Sequence, residues 1–185
     1  MELLDVVDEY GMPTGEKVER KIAHSEGIRH RTAHVWIVRK SDEGVEVLLQ
    51  KRAMNKDSFP GRYDTSSAGH IQAGDEPEES AIRELHEELG IKASVDDLQF
   101  ADTFVIQYDK EFYGKMFKDR EVAFVYIYTK NVNPDELVLQ KEELDGVEWF
   151  NLEYVYKECK KHNQKFCVPI GGLEIVREFV KNESF

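Results

Sequence analysis

GHIQAGDEPEESAIRELHEELGI, residues 69–91, is the stretch that decides how the rest of this 185-residue chain is interpreted. Its second half mixes charged and apolar residues at helical spacing. Glu84, Glu87 and Glu88 are separated by three and four positions, so in a helix their side chains share one face. Three carboxylates on one face repel one another, and a divalent cation with oxygen ligands removes that repulsion. The stretch therefore predicts a helix whose acidic face either binds a metal ion or lies in solvent.

The apolar side and the ends of this predicted helix are also marked in the sequence. Ile82, Leu85 and Leu89 fall on the side that a hydrophobic core would cover. Pro77 suits the first turn of a helix, and Gly90 suits the position just past its end. We therefore expect the helix to begin near Pro77 and to end before Gly90.

The fixed positions of residues 69–91 resemble the Nudix box, G-x5-E-x7-R-E-U-x-E-E-x-G-U, where U is apolar. Asp75 stands where the box has its first Glu. Aspartate keeps the negative charge, but its side chain is one methylene shorter. We therefore expect Asp75 to act as a supporting charge near the start of the helix and not as a direct metal ligand. The positions that match are Gly69, Arg83, Glu84, Leu85, Glu87, Glu88, Gly90 and Ile91. The resemblance extends over roughly residues 1–180 and implies the Nudix fold, an α/β/α sandwich with a mixed β-sheet.

By this resemblance, the box residues bind a divalent cation and activate water. The implied ligands of Mg²⁺ (or Mn²⁺) are Glu84, Glu87, Glu88 and the carbonyl oxygen of Gly69. Glu84 would hold a ligand or take the proton from the attacking water. We expect Arg83 to orient a nearby glutamate rather than to bind substrate. The implied reaction is hydrolysis of a diphosphate that is linked to another group.

Composition limits the binding partners and the cellular compartment that we expect for this protein. A formal net charge of −12 and a pI near 5.0 disfavour a nucleic-acid duplex or an anionic membrane as the partner. We find no signal peptide and no apolar run long enough to span a bilayer, so we expect a cytoplasmic protein. Cys159 and Cys167 are expected to be ordinary thiols. The expected partner is a small-molecule diphosphate, and the resemblance allows a homodimer.

Periodicity and turn residues predict the order of the secondary-structure elements. We expect strands at residues 3–7, 15–18, 32–39, 45–51, 63–70, 98–109, 120–129 and 147–150, and helical segments within 22–29, in the box, and at 152–162 and 173–180. Strands interleave with helices, so the fold class is α+β or α/β with a mixed sheet. We expect a single domain over residues 1–185, with an N-terminal hairpin and loop extension, residues 1–30, packed on it.

Several segments outside the box are similar to one branch of the family, the isopentenyl-diphosphate isomerases. They include residues 23–24, 29–30, 50–53, 59–61, 67–70 and 119–121. In those enzymes the matching positions gather a second metal ion, which implies a second site here from His24, His30, His70, Asp119 and Glu121. The isomerases need a cysteine where this chain has Ala68, and alanine cannot donate a proton. Ala68 and the nearly complete box both favour hydrolysis over isomerisation.

Residues outside the box are also candidates for catalysis and substrate binding. Glu121 is the candidate for a further catalytic carboxylate, with a charged residue at a strand end as the alternative. Arg52, Lys51 and Arg62 flank the entrance to the box and are candidates for binding phosphate oxygens, and His70 is a further candidate for substrate binding. For each basic residue, a solvated surface charge is the alternative interpretation.

Three hypotheses for function follow from these observations. The leading one is a metal-dependent Nudix hydrolase that cleaves the diphosphate bond of a nucleoside diphosphate-linked or other organic diphosphate. The alternatives are an isomerase similar to isopentenyl-diphosphate isomerase and a non-catalytic sensor that binds a diphosphate. The sequence does not choose among nucleoside phosphates, nucleotide sugars and isoprenoid diphosphates as the substrate.

Overall fold

Strands and helices interleave along the chain, as the sequence predicts. The computed structural model describes residues 1–183 and 185. In chain order the elements are β1 (Leu3–Val7), β2 (Pro13–Glu19), α1 (Arg20–Glu26), β3 (His30–Ser41), β4 (Gly44–Arg52), β5 (Tyr63–Asp64), β6 (Ser67–His70), α2 (Pro77–Leu89), β7 (Gln99–Phe112), β8 (Lys115–Tyr128), β9 (Leu144–Asn151), α3 (Leu152–Lys160) and α4 (Ile170–Asn182). Short 3₁₀ turns lie at Val95–Asp97 and Pro134–Glu136.

The main sheet is mixed. Its strand order is β5-β4-β3-β8-β7, with β6 also paired to β3 and β9 also paired to β4. β3 and β8 run parallel, and the other paired strands of this sheet run antiparallel. The predicted mixed β-sheet is therefore confirmed.

Both faces of the sheet are covered by helices. Successive residues of β3 alternate between the two layers, because side chains alternate across a strand. Val35 and Ile37 pack with the apolar side of α2, whereas Trp36 and Val38 pack with α3 and α4. The predicted α/β/α sandwich is therefore confirmed.

The two central strands separate beside α2. β3 and β4 are paired from their hairpin as far as Ile37 and Leu48. Beyond that point, β6 pairs with β3 and β5 pairs with β4. Ser66 joins the strands at the fork: its hydroxyl accepts from the Ile37 N–H and donates to the Leu48 carbonyl. The separation leaves room between the strands for a cavity.

Helix α2 begins and ends where the sequence predicts, and Gly90 caps it in the left-handed conformation with a φ of 71°. Its core side differs from the prediction. Ala81, Leu85 and Leu89 are fully buried, but Ile82 is only partly buried. The buried residues are spaced by four, so they follow one stripe, and Ile82 lies at the edge of that stripe.

Several predicted bounds were wrong. β7 and β8 continue to a turn at Tyr113 and Gly114, so both are longer than predicted. The expected strand at 63–70 is two short strands, β5 and β6. Thr65 and Ser66 lie between them, where β3 and β4 separate. In addition, α1 begins two residues earlier than expected and α3 ends two residues earlier.

Helix α4 starts at Ile170, three residues before the predicted bound. The intervening Gly171 and Gly172 are poor helix formers and mask the helix start in the sequence. A Cβ on Gly171 would lie 2.7 Å from Phe104, and one on Gly172 would lie 2.5 Å from Trp36. Glycine is needed here because α4 packs closely on the sheet.

The N-terminal hairpin contacts the loop that precedes α2. The Ala73 N–H donates to the Leu3 carbonyl, and the Gly74 N–H donates to Asp5 Oδ2 at 2.9 Å. Asp5 Oδ2 also lies 3.4 Å from Arg31 Nη2. Within the described part of the chain, each helix is too short or too polar to cross a membrane.

Candidate active site

A cavity of about 520 Å³ lies where β3 and β4 separate, next to the second half of α2. Most of the ionisable side chains that line it are acidic. Among the described residues, nine lining side chains carry carboxylates, namely Glu2, Asp57, Asp64, Glu84, Glu87, Glu88, Asp119, Glu121 and Glu143, and the lining Lys and Arg residues are Arg20, Arg52 and Lys56. An excess of carboxylates around one cavity attracts cations.

Each of these three basic residues already has an acidic partner. The pairs are Arg20–Glu2 at 3.2 Å, Arg52–Asp64 at 3.4 Å and Lys56–Glu143. Arg52 is further held by Ser58, to which it donates hydrogen bonds at the carbonyl oxygen and the hydroxyl. In the described part of the wall, no Lys or Arg is therefore left without a carboxylate partner.

We refer to Glu84, Glu87 and Glu88 as the α2 carboxylates. Glu84 packs directly against the backbone of Gly69, where a Cβ atom would collide with the Glu84 side chain. Burial raises the pKa of Glu84 to about 7; the charge of Arg83 opposes this shift, and the charge of Glu87 adds to it. The ionised form of this carboxyl is therefore disfavoured unless a positive charge is bound beside it.

Glu88 extends from α2 into the interior and is 5% exposed. Its Oε2 accepts hydrogen bonds from Gln50 Nε2 at 2.9 Å and from the Ala68 N–H at 3.3 Å. Gln50 Nε2 also donates to the Ser66 carbonyl, which fixes the orientation of the amide. Burial raises the pKa of Glu88 to about 8, and repulsion by Glu84 contributes. Glu88 is a buried acid held in place by neutral donors.

Arg83 lies behind the cavity wall and connects three of its neighbours. Its Nη1 donates to Asp75 Oδ2 at 2.6 Å, and its Nη2 donates to the His70 carbonyl at 3.2 Å and to Glu84 Oε1 at 3.4 Å. Arg83 thus contacts Glu84, and its orienting role stays a prediction. Asp75 supports Arg83 and does not line the cavity.

A second group of side chains meets at the same cavity, and we call it the histidine cluster. Ligand atoms of His24, His30, His70 and Glu121 all lie within 4.8 Å of one another. Asp119 joins them, with its Oδ1 3.5 Å from His24 Nε2. The five residues that the isomerase resemblance implies for a second metal site are thus brought together from α1, β3, β6 and β8.

Backbone carbonyls fix the ring orientation of two of these histidines. Nδ1 of His24 lies 3.0 Å from the Arg20 carbonyl oxygen, and Nδ1 of His30 lies 2.9 Å from the Ile28 carbonyl oxygen. A carbonyl oxygen only accepts, so each Nδ1 carries a proton, and in the neutral ring Nε2 is the nitrogen with the lone pair. Metal-binding histidines are commonly oriented in this way.

The donor atoms of both groups fit divalent cations. Nε2 of His30, Nε2 of His70 and Oδ1 of Asp119 are buried and lack hydrogen-bond partners within residues 1–183 and 185. Imidazole nitrogens with a carboxylate suit a first-row transition metal. The α2 carboxylates offer only oxygen atoms, which suits Mg²⁺.

The predicted substrate-binding residues are only partly brought together. Arg52 and His70 line the cavity, whereas Lys51 and Arg62 do not. Lys51 is exposed because neighbouring residues of β4 point to opposite faces, and Arg52 is the one that faces the cavity. Arg62 lies further along the loop, where its Nη2 donates to Gln164 Oε1 at 2.6 Å. We remove Lys51 and Arg62 from the candidate site for these reasons.

Sequence reasoning missed several residues of the cavity wall. Gln50 holds Glu88, and Thr32 Oγ1 donates to Glu121 Oε2 at 3.0 Å. His34 also lines the cavity. A partial signal was present in β3, where His30, Thr32 and His34 recur at every second position and so share one face, although Arg31 interrupts the pattern on the other face.

Cys167 also lines the cavity, which sequence reasoning could not foresee. Both cysteines are free thiols, as expected. Burial raises the pKa of Cys167 well above its usual value, so its thiol is protonated at neutral pH. A protonated thiol in the cavity is a potential proton donor.

Comparison with known proteins agrees with this architecture. A family model described as NUDIX domain matches residues 28–167. An uncharacterized Nudix hydrolase of Clostridium acetobutylicum is 38% identical over 146 residues, which cover 79% of this chain and 68% of that protein. Nudix hydrolase 3 of Arabidopsis thaliana is 38% identical over 82% of this chain, but the match spans only 19% of that longer protein.

An isomerase and a solved structure complete the comparison. Isopentenyl-diphosphate Delta-isomerase of Cereibacter sphaeroides is 31% identical over 80% of this chain and 78% of its own length. The crystal structure of a Deinococcus radiodurans protein superposes with a TM-score of 0.69 at 18% identity, covering 95% of this chain and 98% of that one. The chain belongs to the Nudix family, and the relatives described here include Nudix hydrolases and an isopentenyl-diphosphate isomerase.

Proposed function

We propose that this protein is a divalent metal-dependent hydrolase that cleaves the diphosphate bond of a small organic diphosphate, nucleoside-linked or other. The observation that carries the proposal is the charge of the cavity, where nine carboxylates face three basic residues that are already paired. A diphosphate is itself an anion, so it would be repelled unless cations were bound between it and the wall.

The two groups of ligands have different expected roles. The α2 carboxylates with the carbonyl of Gly69 would hold Mg²⁺ or Mn²⁺, and the histidine cluster would hold a second cation. When bound, the cations would offset the charge of the diphosphate and lower the pKa of the attacking water. Glu84 would hold that water or accept its proton, and Arg83 would keep Glu84 in position. Glu121 would be a ligand of the second cation, and it is the candidate for a further catalytic carboxylate from outside the box.

Hydrolysis is favoured over isomerisation by the residue at position 68. Ala68 faces the cavity from β6 but has no proton to donate. The α2 carboxylates are complete, and the two relatives at 38% identity are both called Nudix hydrolases, whereas the isomerase is 31% identical. These observations support hydrolysis as the first candidate.

The test is a hydrolysis assay on protein first stripped of metal with EDTA. Mg²⁺ or Mn²⁺ is then added with a panel that contains nucleoside diphosphates, ADP-ribose, nucleotide sugars and isopentenyl diphosphate, and the products are identified. We expect cleavage of at least one diphosphate only when metal is present. Glu88→Gln should abolish it, whereas Glu79→Gln, on an exposed position of the same helix, should not. Tight binding of a panel member without cleavage would instead support a sensor.

A second candidate, isomerisation, is kept because Cys167 lines the cavity. Its protonated thiol could replace the proton donor that is missing at position 68. The measurement is deuterium uptake from D₂O into the carbon skeleton of isopentenyl diphosphate. Uptake that is lost in Cys167→Ser would favour the isomerase, and its absence in the wild-type protein would remove this candidate.

A further inference from the structure

His34 is a buried polar side chain that the proposed hydrolysis does not use. It lies four residues after His30 on β3, so its backbone is about 13 Å further along the strand, and Thr32 lies between it and the histidine cluster. It lines the same cavity, is 5% exposed and meets the ring of Phe104 edge-on with centroids 5.8 Å apart. Ala68 stands opposite it in the β3–β6 pair and lines the same cavity.

Hydrogen bonds determine which nitrogen of His34 carries the proton. Thr32 Oγ1 donates its hydrogen to Glu121 Oε2 at 3.0 Å. The same oxygen lies 3.2 Å from His34 Nε2, and because its hydrogen is already used, it must accept there. Nε2 is therefore protonated, and Nδ1 holds a lone pair. Burial also lowers the pKa of His34 to about 4, so the ring is neutral at physiological pH.

Nδ1 of His34 is thus a buried acceptor in need of a donor. It has no hydrogen-bond partner among the residues that the structure describes. A buried polar atom without a partner is costly and uncommon, and a bound molecule is one way to satisfy it. An ionised phosphate offers acceptor oxygens only, so it cannot supply the hydrogen. Within a diphosphate substrate, the hydrogen would therefore come from an O–H or N–H group on the organic part.

We propose that His34 determines substrate specificity by accepting, at Nδ1, a hydrogen bond from a hydroxyl group on the organic part of the diphosphate. This inference rests on the proposed function, which places the diphosphate at the metal ligands. It implies a substrate whose organic part is hydroxylated, as in a sugar or polyol, and it disfavours a pure hydrocarbon chain.

The test uses analogues that cannot be hydrolysed, so that binding is measured apart from turnover. Methylenediphosphonate is esterified with short alkyl chains of increasing length that end in a methyl, a methoxy or a hydroxyl group. Affinities are measured by calorimetry with Mg²⁺ present. At the chain length that reaches His34, we expect the hydroxyl ester to bind about tenfold more tightly than the other two. The methoxy ester is polar but has no hydrogen to donate, so the difference between the hydroxyl and methoxy esters measures the effect of the donated hydrogen bond.

Two isosteric variants locate the effect at one atom. His34→Gln keeps a nitrogen donor for Thr32 but has no acceptor at the Nδ1 position, so it should lose the preference for the hydroxyl ester. His34→Asn places an amide oxygen at the Nδ1 position and should retain the preference. Thermal unfolding of each variant shows whether it is folded before affinities are compared.

Equal affinity of the three wild-type esters at every chain length would overturn the inference, and so would an undiminished preference in folded His34→Gln. Failure of every ester to bind would overturn it as well. A hydroxyl preference without hydrolysis in the substrate panel would contradict the proposed function and leave the role of His34 supported. The two proposals can therefore fail separately.

Discussion

The carboxyl group of Glu84 occupies the space where residue 69 would carry its side chain, so Gly69 and Glu84 depend on each other. Gly69→Ala should displace Glu84 while leaving the fold intact. Because small displacements of catalytic groups have large effects, we expect about a hundredfold loss of metal-dependent hydrolysis. Gly146→Ala is the matched control, since a Cβ at residue 146 meets no atom within 4 Å. Equal activity of the two variants would contradict the placement of Glu84.

Glu88 should make the metal-free protein less stable as the pH rises. Its pKa is about 8 in the folded state against a usual value of 4.5, so between these values the folded state binds more protons than the unfolded chain. The stabilisation is complete below pH 4.5 and is lost as the pH rises through about 8. In EDTA, Glu88→Gln should therefore raise the melting temperature at about pH 8 and have little effect near pH 4.5.

The control for this pH dependence is Glu79→Gln, which changes an exposed carboxyl on the same helix. Its melting temperature should follow that of the wild-type protein at both pH values. If Glu88→Gln changed the melting temperature equally at both pH values, the raised pKa of Glu88 in the folded protein would be wrong.

Gln50 should contribute to metal affinity without binding the metal itself. It donates to Glu88 Oε2 at 2.9 Å and is fixed in turn by the Ser66 carbonyl. Groups that hold a metal ligand typically affect affinity by tenfold or more, so Gln50→Leu should weaken Mn²⁺ binding by about tenfold. The free Mn²⁺ signal in electron paramagnetic resonance measures this directly, and Gln107→Leu on the exposed edge strand is the control.

The histidine cluster should bind a cation separately from the α2 carboxylates. His30 is fully buried, and its Nε2 lies 3.7 Å from Glu121 Oε1. His30→Gln should reduce the number of Mn²⁺ ions bound per chain by one, whereas His86→Gln, at an exposed position, should not. Equilibrium dialysis with metal analysis gives the count. An unchanged count in folded His30→Gln would exclude a cation at this cluster.

Structural features that depend on the spacing of nearby residues could be predicted from the amino-acid sequence alone. The ends of α2, the acidic face formed by Glu84 and its neighbours, and the presence of a mixed sheet were all predicted and are borne out by the fold. These depend on helix periodicity, on Pro77 and Gly90 at the helix ends, and on strand alternation. The histidine cluster was expected only because of a resemblance, since no spacing rule relates His24 to Glu121.

Structural features that depend on contacts between distant segments of the chain could not be predicted from the sequence. Whether a basic residue near the box faces the substrate depends on strand direction and loop path, which is why Arg52 lines the cavity and Lys51 and Arg62 do not. The presence of Cys167 in the cavity likewise depends on how the chain returns beside Tyr63.

The amino-acid sequence by itself determined the acidic helix and the family of the chain, because both follow from residue types at fixed short separations. Only the tertiary structure decided which side chains share the cavity, that Glu88 is buried against Gln50, and that His34 is left with an unpaired acceptor among the described residues. Burial and long-range hydrogen bonds arise when strands far apart in the chain pair with one another, and the local pattern of one strand does not say which distant strand will be its neighbour.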